Sequence, residues 1–162
     1  MFGFFQKKQS SLLAVCDGVA SEIQTIPDEA FASGMLGVGY AIEPANGLFY
    51  SPVNGRIESI APARHAYSIH SEDGLDVLLH IGVDTVTLGG EGFEALVQEG
   101  SDVSAGTPIA RVDLSLLRQK TLPTVTAVLV AESERLENME YRFGSATGAK
   151  TTVMTFRIGR KG

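Results

Sequence analysis

The sequence predicts an all-β fold, a compact antiparallel β-sandwich or barrel with short helical turns. Three observations predict it. Dipeptides that favour tight turns recur along the chain, at Asp17-Gly18, Asn46-Gly47, Asn54-Gly55, Asp73-Gly74 and Gly89-Gly90. Short runs of β-favouring residues lie between them. Helical signal is sparse, and closely spaced strands with glycine turns suit a sandwich or barrel.

Taken in order, residues 1–11 read as an N-terminal tail. Phe2, Phe4 and Phe5 followed by Lys7 and Lys8 suit either a frayed terminus or a weak contact with an anionic membrane surface. Residues 12–162 then form one domain. Pro27, Asp28 and Glu29 before Ala30 and Phe31 mark the start of a helical turn, with proline and acid at its N-terminus. Strands are expected at residues 39–42, 47–50, 56–60, 66–71, 76–83, 108–112, 124–130 and 152–158. Residues 91–98 and 114–120 are each expected to hold one or two helical turns.

The chain has 162 residues, enough for a real hydrophobic core. Its net charge of -6 and lack of a basic stripe exclude general nucleic-acid binding. Cys16 is the single cysteine, so no internal disulfide forms, and a reducing, cytoplasmic compartment is expected. Residues 12–16 loosely imitate a lipoprotein cleavage site, but the apolar stretch is shorter than the roughly 7–15 residues a secretory signal needs. No apolar run approaches the roughly 18 residues of a membrane span.

The chemistry-bearing residues are three histidines, His65, His70 and His80. Side chains alternate faces along a strand. Val77, Leu79, Ile81 and Val83 therefore share one face, while Asp76, Leu78, His80 and Gly82 share the other. His80 then points away from the core, with Gly82 leaving room beside it. His65 sits just before the strand at residues 66–71. A hairpin turning at Asp73-Gly74 would bring His65 and His80 together. Two close imidazoles suit phosphoryl transfer, because neutral imidazole is nucleophilic near pH 7 and a second ring can donate to phosphoryl oxygens. Leu78, Ile81 and Val86 would supply an apolar docking patch for proteins. Histidines of this kind are also read as structural residues or as metal ligands, and the spacing alone leaves these alternatives open.

The residues carry a resemblance as well. His65-Ala66-Tyr67-Ser68-Ile69, then Leu79-His80-Ile81-Gly82-Val83-Asp84-Thr85-Val86, then Leu88-Gly89-Gly90-Glu91-Gly92-Phe93 resemble the signature of the glucose-type IIA component of the bacterial sugar phosphotransferase system. Ser51-Pro52-Val53-Asn54-Gly55, Glu99-Gly100, Val103, Gly106 and Asp113-Leu114 follow in family-like order. The likeness implies an antiparallel β-sandwich that works as a phosphotransferase component in sugar uptake, with no cofactor required. It implies that His80 is the phosphorylated nucleophile and His65 its supporting donor. The donor protein would be the histidine phosphocarrier protein, and the acceptor a cysteine of the IIB domain of a sugar permease. Some members hold zinc on this histidine pair when a docked partner adds a carboxylate, so His65 and His80 are also the candidate metal ligands.

Three departures from the family pattern stand out. Ala63 replaces a threonine whose hydroxyl is thought to orient or relay to the first histidine. Val38 replaces a rim aspartate, which should tune docking to basic partners. Ile81 replaces a common phenylalanine. The docking set expected around His80 is thus Leu78, Ile81, Asp84, Val86 and Val38. Losses of this kind make a second function thinkable: a regulatory binding module that keeps the fold without the relay. Retention of both histidines argues against it. A zinc hydrolase, the third reading, lacks an obvious third ligand.

Overall fold

A computed structural model of the chain describes residues 9–159. Phe2–Lys8 of the expected tail lies outside the described residues. The strands are β1 (Gln9–Leu13), β2 (Gly18–Glu22), β3 (Val38–Pro44), β4 (Leu48–Tyr50), β5 (Gly55–Ile60), β6 (Ala66–Ser71) and β7 (Asp76–His80). They continue with β8 (Phe93–Ala95), β9 (Asp102–Val103), β10 (Pro108–Val112), β11 (Thr126–Val130), β12 (Leu136–Tyr141), β13 (Gly144–Ala146) and β14 (Thr152–Ile158). Two short helices interrupt them, α1 (Glu29–Ala32) and α2 (Leu114–Gln119). The all-β expectation holds.

An eight-stranded sheet runs β13-β2-β3-β11-β7-β6-β5-β9, flanked by the three-stranded sheets β1-β14-β12 and β4-β10-β8. Every pairing is antiparallel. The sheets enclose one large apolar core that includes Leu12, Tyr40, Phe49, Ile57, Tyr67, Leu79, Val128 and Phe156. Tyr40 brings a hydroxyl into it. That hydroxyl donates to the Leu13 carbonyl at 2.7 Å and accepts from the Val15 N–H at 3.1 Å, so its burial is compensated.

The middle of the large sheet sets up the rest of the molecule. In β3, β11 and β7, Tyr40, Val128 and Leu79 stand side by side in register, as do Ala41, Ala127 and His80 one position on. The first row enters the main core. The second faces the other way, where a smaller core forms from Ile23, Ile26, Phe31, Ala41, Val83, Ala127 and Leu129, with Leu78 packed against it. A 3₁₀ turn at Ile23–Thr25 and α1 cover that face. The sheet centre is therefore apolar on both sides, and all five residues of β11 are buried.

Several elements differ from expectation. The segment at residues 91–98 forms β8, not helical turns. Gly90 and Gly92 both adopt positive φ, and Phe93 to Ala95 then pair with β10, burying Phe93. The strand expected to reach residue 83 stops at His80, because Gly82 (φ 74°) and Asp84 (φ 61°) turn the chain. The tail boundary at residue 11 is also corrected. Residues 9–11 already pair with residues 155–157 of β14, and Leu12 is fully buried. Polar Gln9, Ser10 and Ser11 hide this strand from an apolar-run criterion. The same holds for β12 with its Glu137, Asn138 and Glu140, on a sheet edge.

Leu79→Ala should cost about 2–5 kcal/mol, since the site is fully buried among rigid strands that cannot collapse around the cavity. Equilibrium denaturant unfolding checks this, with a lowered midpoint and an unchanged slope expected.

Candidate functional site

The hairpin of β6 and β7 turns at Asp73-Gly74, where Gly74 takes φ 84°. Its register places Ala66 opposite His80. His65 comes one residue earlier, and its carbonyl accepts from the Ile81 N–H at 2.8 Å. The two imidazoles meet edge to face, with centroids 5.0 Å apart and planes at 87°. The juxtaposition expected from the sequence is what the register produces.

The His80 ring is held from behind. His80 Nδ1 donates to the Gly82 carbonyl at 2.9 Å. A carbonyl only accepts, so this bond puts the proton of a neutral ring on Nδ1 and leaves the lone pair on Nε2. Gly82 must be glycine. Its φ is positive, and an added Cβ would lie 2.5 Å from Thr85 Cγ2 and 3.0 Å from the Pro123 carbonyl oxygen. The loop is tied down on either side, by Val83 N–H to the Pro123 carbonyl at 3.1 Å and by Thr85 Oγ1 to the Ile81 carbonyl at 2.6 Å.

On the His65 side, Arg64 adopts φ 61° and sends its guanidinium across to the next loop. Its Nε donates to the Phe93 carbonyl at 3.0 Å and one terminal nitrogen to the Gly90 carbonyl at 3.2 Å. Arg64 thus clamps the segment that carries His65. The sequence reading missed this, because nothing in the pattern marks an arginine whose partners are distant carbonyls. His65 is only 8% exposed, and its Nδ1 is buried without a hydrogen-bond partner. Ala63, buried two residues before it, has no hydroxyl to offer.

Burial lowers the pKa of both rings below the ordinary imidazole value. At His80 the drop is opposed by the Gly82 hydrogen bond and by the charges of Asp28 and Asp84. At His65 the nearby His80 adds to the effect of burial. His70 behaves in the opposite way: its exposed ring bonds to Asp76 at 2.9 Å, which raises its pKa. It lies away from the pair, as a surface residue.

The expected docking set divides. Asp84 is exposed, and Val86 is 57% exposed. Leu78 is half-buried, packed on the smaller core. Ile81 does not belong to a docking surface: it is fully buried in the main core, as its alternation with Leu79 requires. Val38 is also corrected. It stands in register with Val130 and packs on the main core, the opposite face from His80. Phe31 was missed. It contacts the His80 ring at a centroid distance of 4.9 Å, from α1, and Met35 and Leu36 just beyond that helix are exposed. The proline–acid helix start at Pro27 was the signal available for it.

The pair supplies two nitrogen-bearing side chains, and no group of three or more potential metal-ligating residues occurs among the described residues. A zinc site with three protein ligands does not fit this chain by itself.

Residues 10–136 match the family model described as phosphoenolpyruvate-dependent sugar phosphotransferase system, EIIA 1. The chain belongs to this family. Among its relatives, a glucose-specific EIIA component of Bacillus cereus is 36% identical over 156 residues, covering 95% of this chain and 94% of the relative. One from Staphylococcus epidermidis is 36% identical over 132 residues, or 82% and 80% of the two chains. A glucose-specific EIICBA component of Streptococcus pneumoniae is 38% identical over 149 residues, 92% of this chain but 20% of that longer protein. The solved glucose permease IIA from Mycoplasma capricolum superposes with a TM-score of 0.85 at 33% identity, covering 95% of this chain and 99% of that one. This EIIA protein is accordingly a phosphotransferase-system component with partners in a phosphotransfer chain. Among its described residues no helix is long and apolar enough to cross a membrane.

Proton NMR titration should resolve the three histidines, with His65 and His80 protonating below about 6.5 and His70 above it. For the lowered pair the unfolded state binds protons first. Their contribution to stability is therefore complete above pH 6.5 and is lost as pH falls through the window below it.

Proposed function

We propose that this EIIA protein is a phosphohistidine relay in sugar uptake. His80 Nε2 attacks the phosphorus carried by the histidine phosphocarrier protein. The new P–N bond forms on His80 as the old P–N bond breaks, and the electron pair of the old bond stays with the donor imidazole. Onward transfer reverses the roles. A cysteine thiolate on the IIB domain of a sugar permease attacks the same phosphorus, an S–P bond forms, and the electron pair of the breaking bond returns to Nε2. The single observation that carries this reading is the Nδ1 bond to Gly82, which leaves Nε2 as the available nucleophile beside His65.

His65 steadies the phosphoryl group in this scheme. A neutral ring with a lowered pKa gives little repulsion to, and takes no proton from, the free His80. A phosphoryl dianion beside it raises its proton affinity, so that it becomes a charged donor to the phosphoryl oxygens. Asp84 and Val86 lie on the exposed segment just after His80, where a partner protein would dock. The relay needs no resident metal. Zinc would bind the pair only with a carboxylate brought by a partner. Both partners act on the cytoplasmic side, which is the proposed location.

Incubation with phosphoenolpyruvate, enzyme I and the carrier protein should add one phosphoryl mass, and His80→Ala should abolish the gain. A protein that never gains it would be the regulatory module instead. His65→Gln should still accept phosphorus yet pass it on more slowly, by roughly 10²-fold, because an amide donates but cannot change protonation state. Single-turnover transfer to the IIB domain measures this, and unaltered onward transfer would remove the role given to His65.

A further inference from the structure

The His80 ring is fixed on three sides, and only two belong to the hairpin and loop described above. Gly82 holds Nδ1, and His65 meets one edge. The third contact is Phe31, tilted 55° to the imidazole at 4.9 Å. Phe31 is 5% exposed and belongs to the smaller core with Ile23 and Ile26. It reaches His80 only because α1 is fastened there. Asp28 caps that helix, its Oδ1 accepting from the Ala30 N–H at 2.9 Å while its carbonyl accepts from the Phe31 N–H at 3.1 Å. A four-residue helix has no stability of its own, so the Phe31 side chain is also its anchor.

We infer that Phe31 is a positioning residue for the relay histidine: its ring closes one side of the His80 imidazole, holding Nδ1 on the Gly82 carbonyl and Nε2 open to incoming phosphorus. The imidazole χ2 torsion is intrinsically broad, so a ring without that wall is free to swing, and water can compete for Nδ1. The wall also dries the ring, which keeps it neutral and nucleophilic. A phenyl face can instead attract an imidazolium. Burial nonetheless dominates at His80, whose pKa is lowered. The charged and titratable groups near the ring are Asp28 before α1, Asp84 after β7 and His65 before β6. The sheet neighbours Ala127 and Ala41 carry no charge.

The inference rests on the relay proposed above, and its test separates the two. In Phe31→Ser, nitrogen-15 NMR should show the His80 midpoint rising by about half to one pH unit, with Nδ1-protonated and Nε2-protonated tautomers mixed. The exposed His70 serves as an internal reference and should not move. The rate of phosphoryl acceptance should fall roughly 3–10-fold below pH 6.5 and recover substantially at pH 8, following the neutral fraction. Phe31→Leu, which keeps an apolar anchor, should restore most of the rate and of the low midpoint. It also stands in if the serine variant does not fold, and then shows a smaller shift in the same direction. An unmoved midpoint and tautomer, with a rate loss equal at every pH, would make Phe31 a docking residue only and overturn the inference. If the wild-type protein accepts no phosphorus, the relay reading fails, while midpoint and tautomer still decide what Phe31 does to His80.

Discussion

The hydrogen bond from His80 Nδ1 to the Gly82 carbonyl is the constraint on which the site depends. An imidazole has two nitrogens of similar basicity, and the proposed relay needs one of them committed. The carbonyl commits it without a charge, so the ring keeps a lone pair on Nε2 while remaining neutral. A carboxylate in the same place would favour the imidazolium, in which Nε2 has no lone pair. The carbonyl can face the ring because the chain reverses at Gly82, where a side chain would strike Thr85 and Pro123. Much of the surrounding loop, with its bonds from Val83 and Thr85, serves to keep that one oxygen where it is.

The second constraint is depth. His80 stands on the central sheet between two apolar layers, the main core behind it and the smaller core beside it. The small side chains of Ala127 and Ala41 in the neighbouring strands leave space for the ring on that face. The ring is then dry enough to be neutral while remaining only partly buried. His65 lies deeper, and its Nδ1 is buried without a hydrogen-bond partner, which costs the folded chain stability. Such unsatisfied groups concentrate where a protein does chemistry.

Membership of the EIIA family accounts for the fold, and the three positions expected to depart from the family pattern fall in physically different places. Ala63 is buried two residues before His65. Ile81 is sealed in the core, where a change of side chain alters packing and not recognition. Val38 sits on the main-core face of β3, where its side chain packs against the apolar core.

The alternation of Val77, Leu79 and Ile81 with Leu78 and His80 was legible because a strand has a period of two and a buried face tolerates few polar groups. Glycine turns were legible for the same local reason: positive φ is a property of one residue and its neighbours. The polar edge strands β1 and β12 were not, since both are set by pairing with β14, which follows β1 by more than a hundred residues and β12 only after the intervening β13, not by their own composition. Nor were Phe31 and Arg64, whose roles arise from contacts with His80 and with the Gly90 and Phe93 carbonyls. The chain by itself determined that His65 and His80 could meet across a hairpin and which face His80 would take. Only the tertiary structure decided which nitrogen is free, because that depends on a carbonyl's direction in a folded loop, which no residue type encodes.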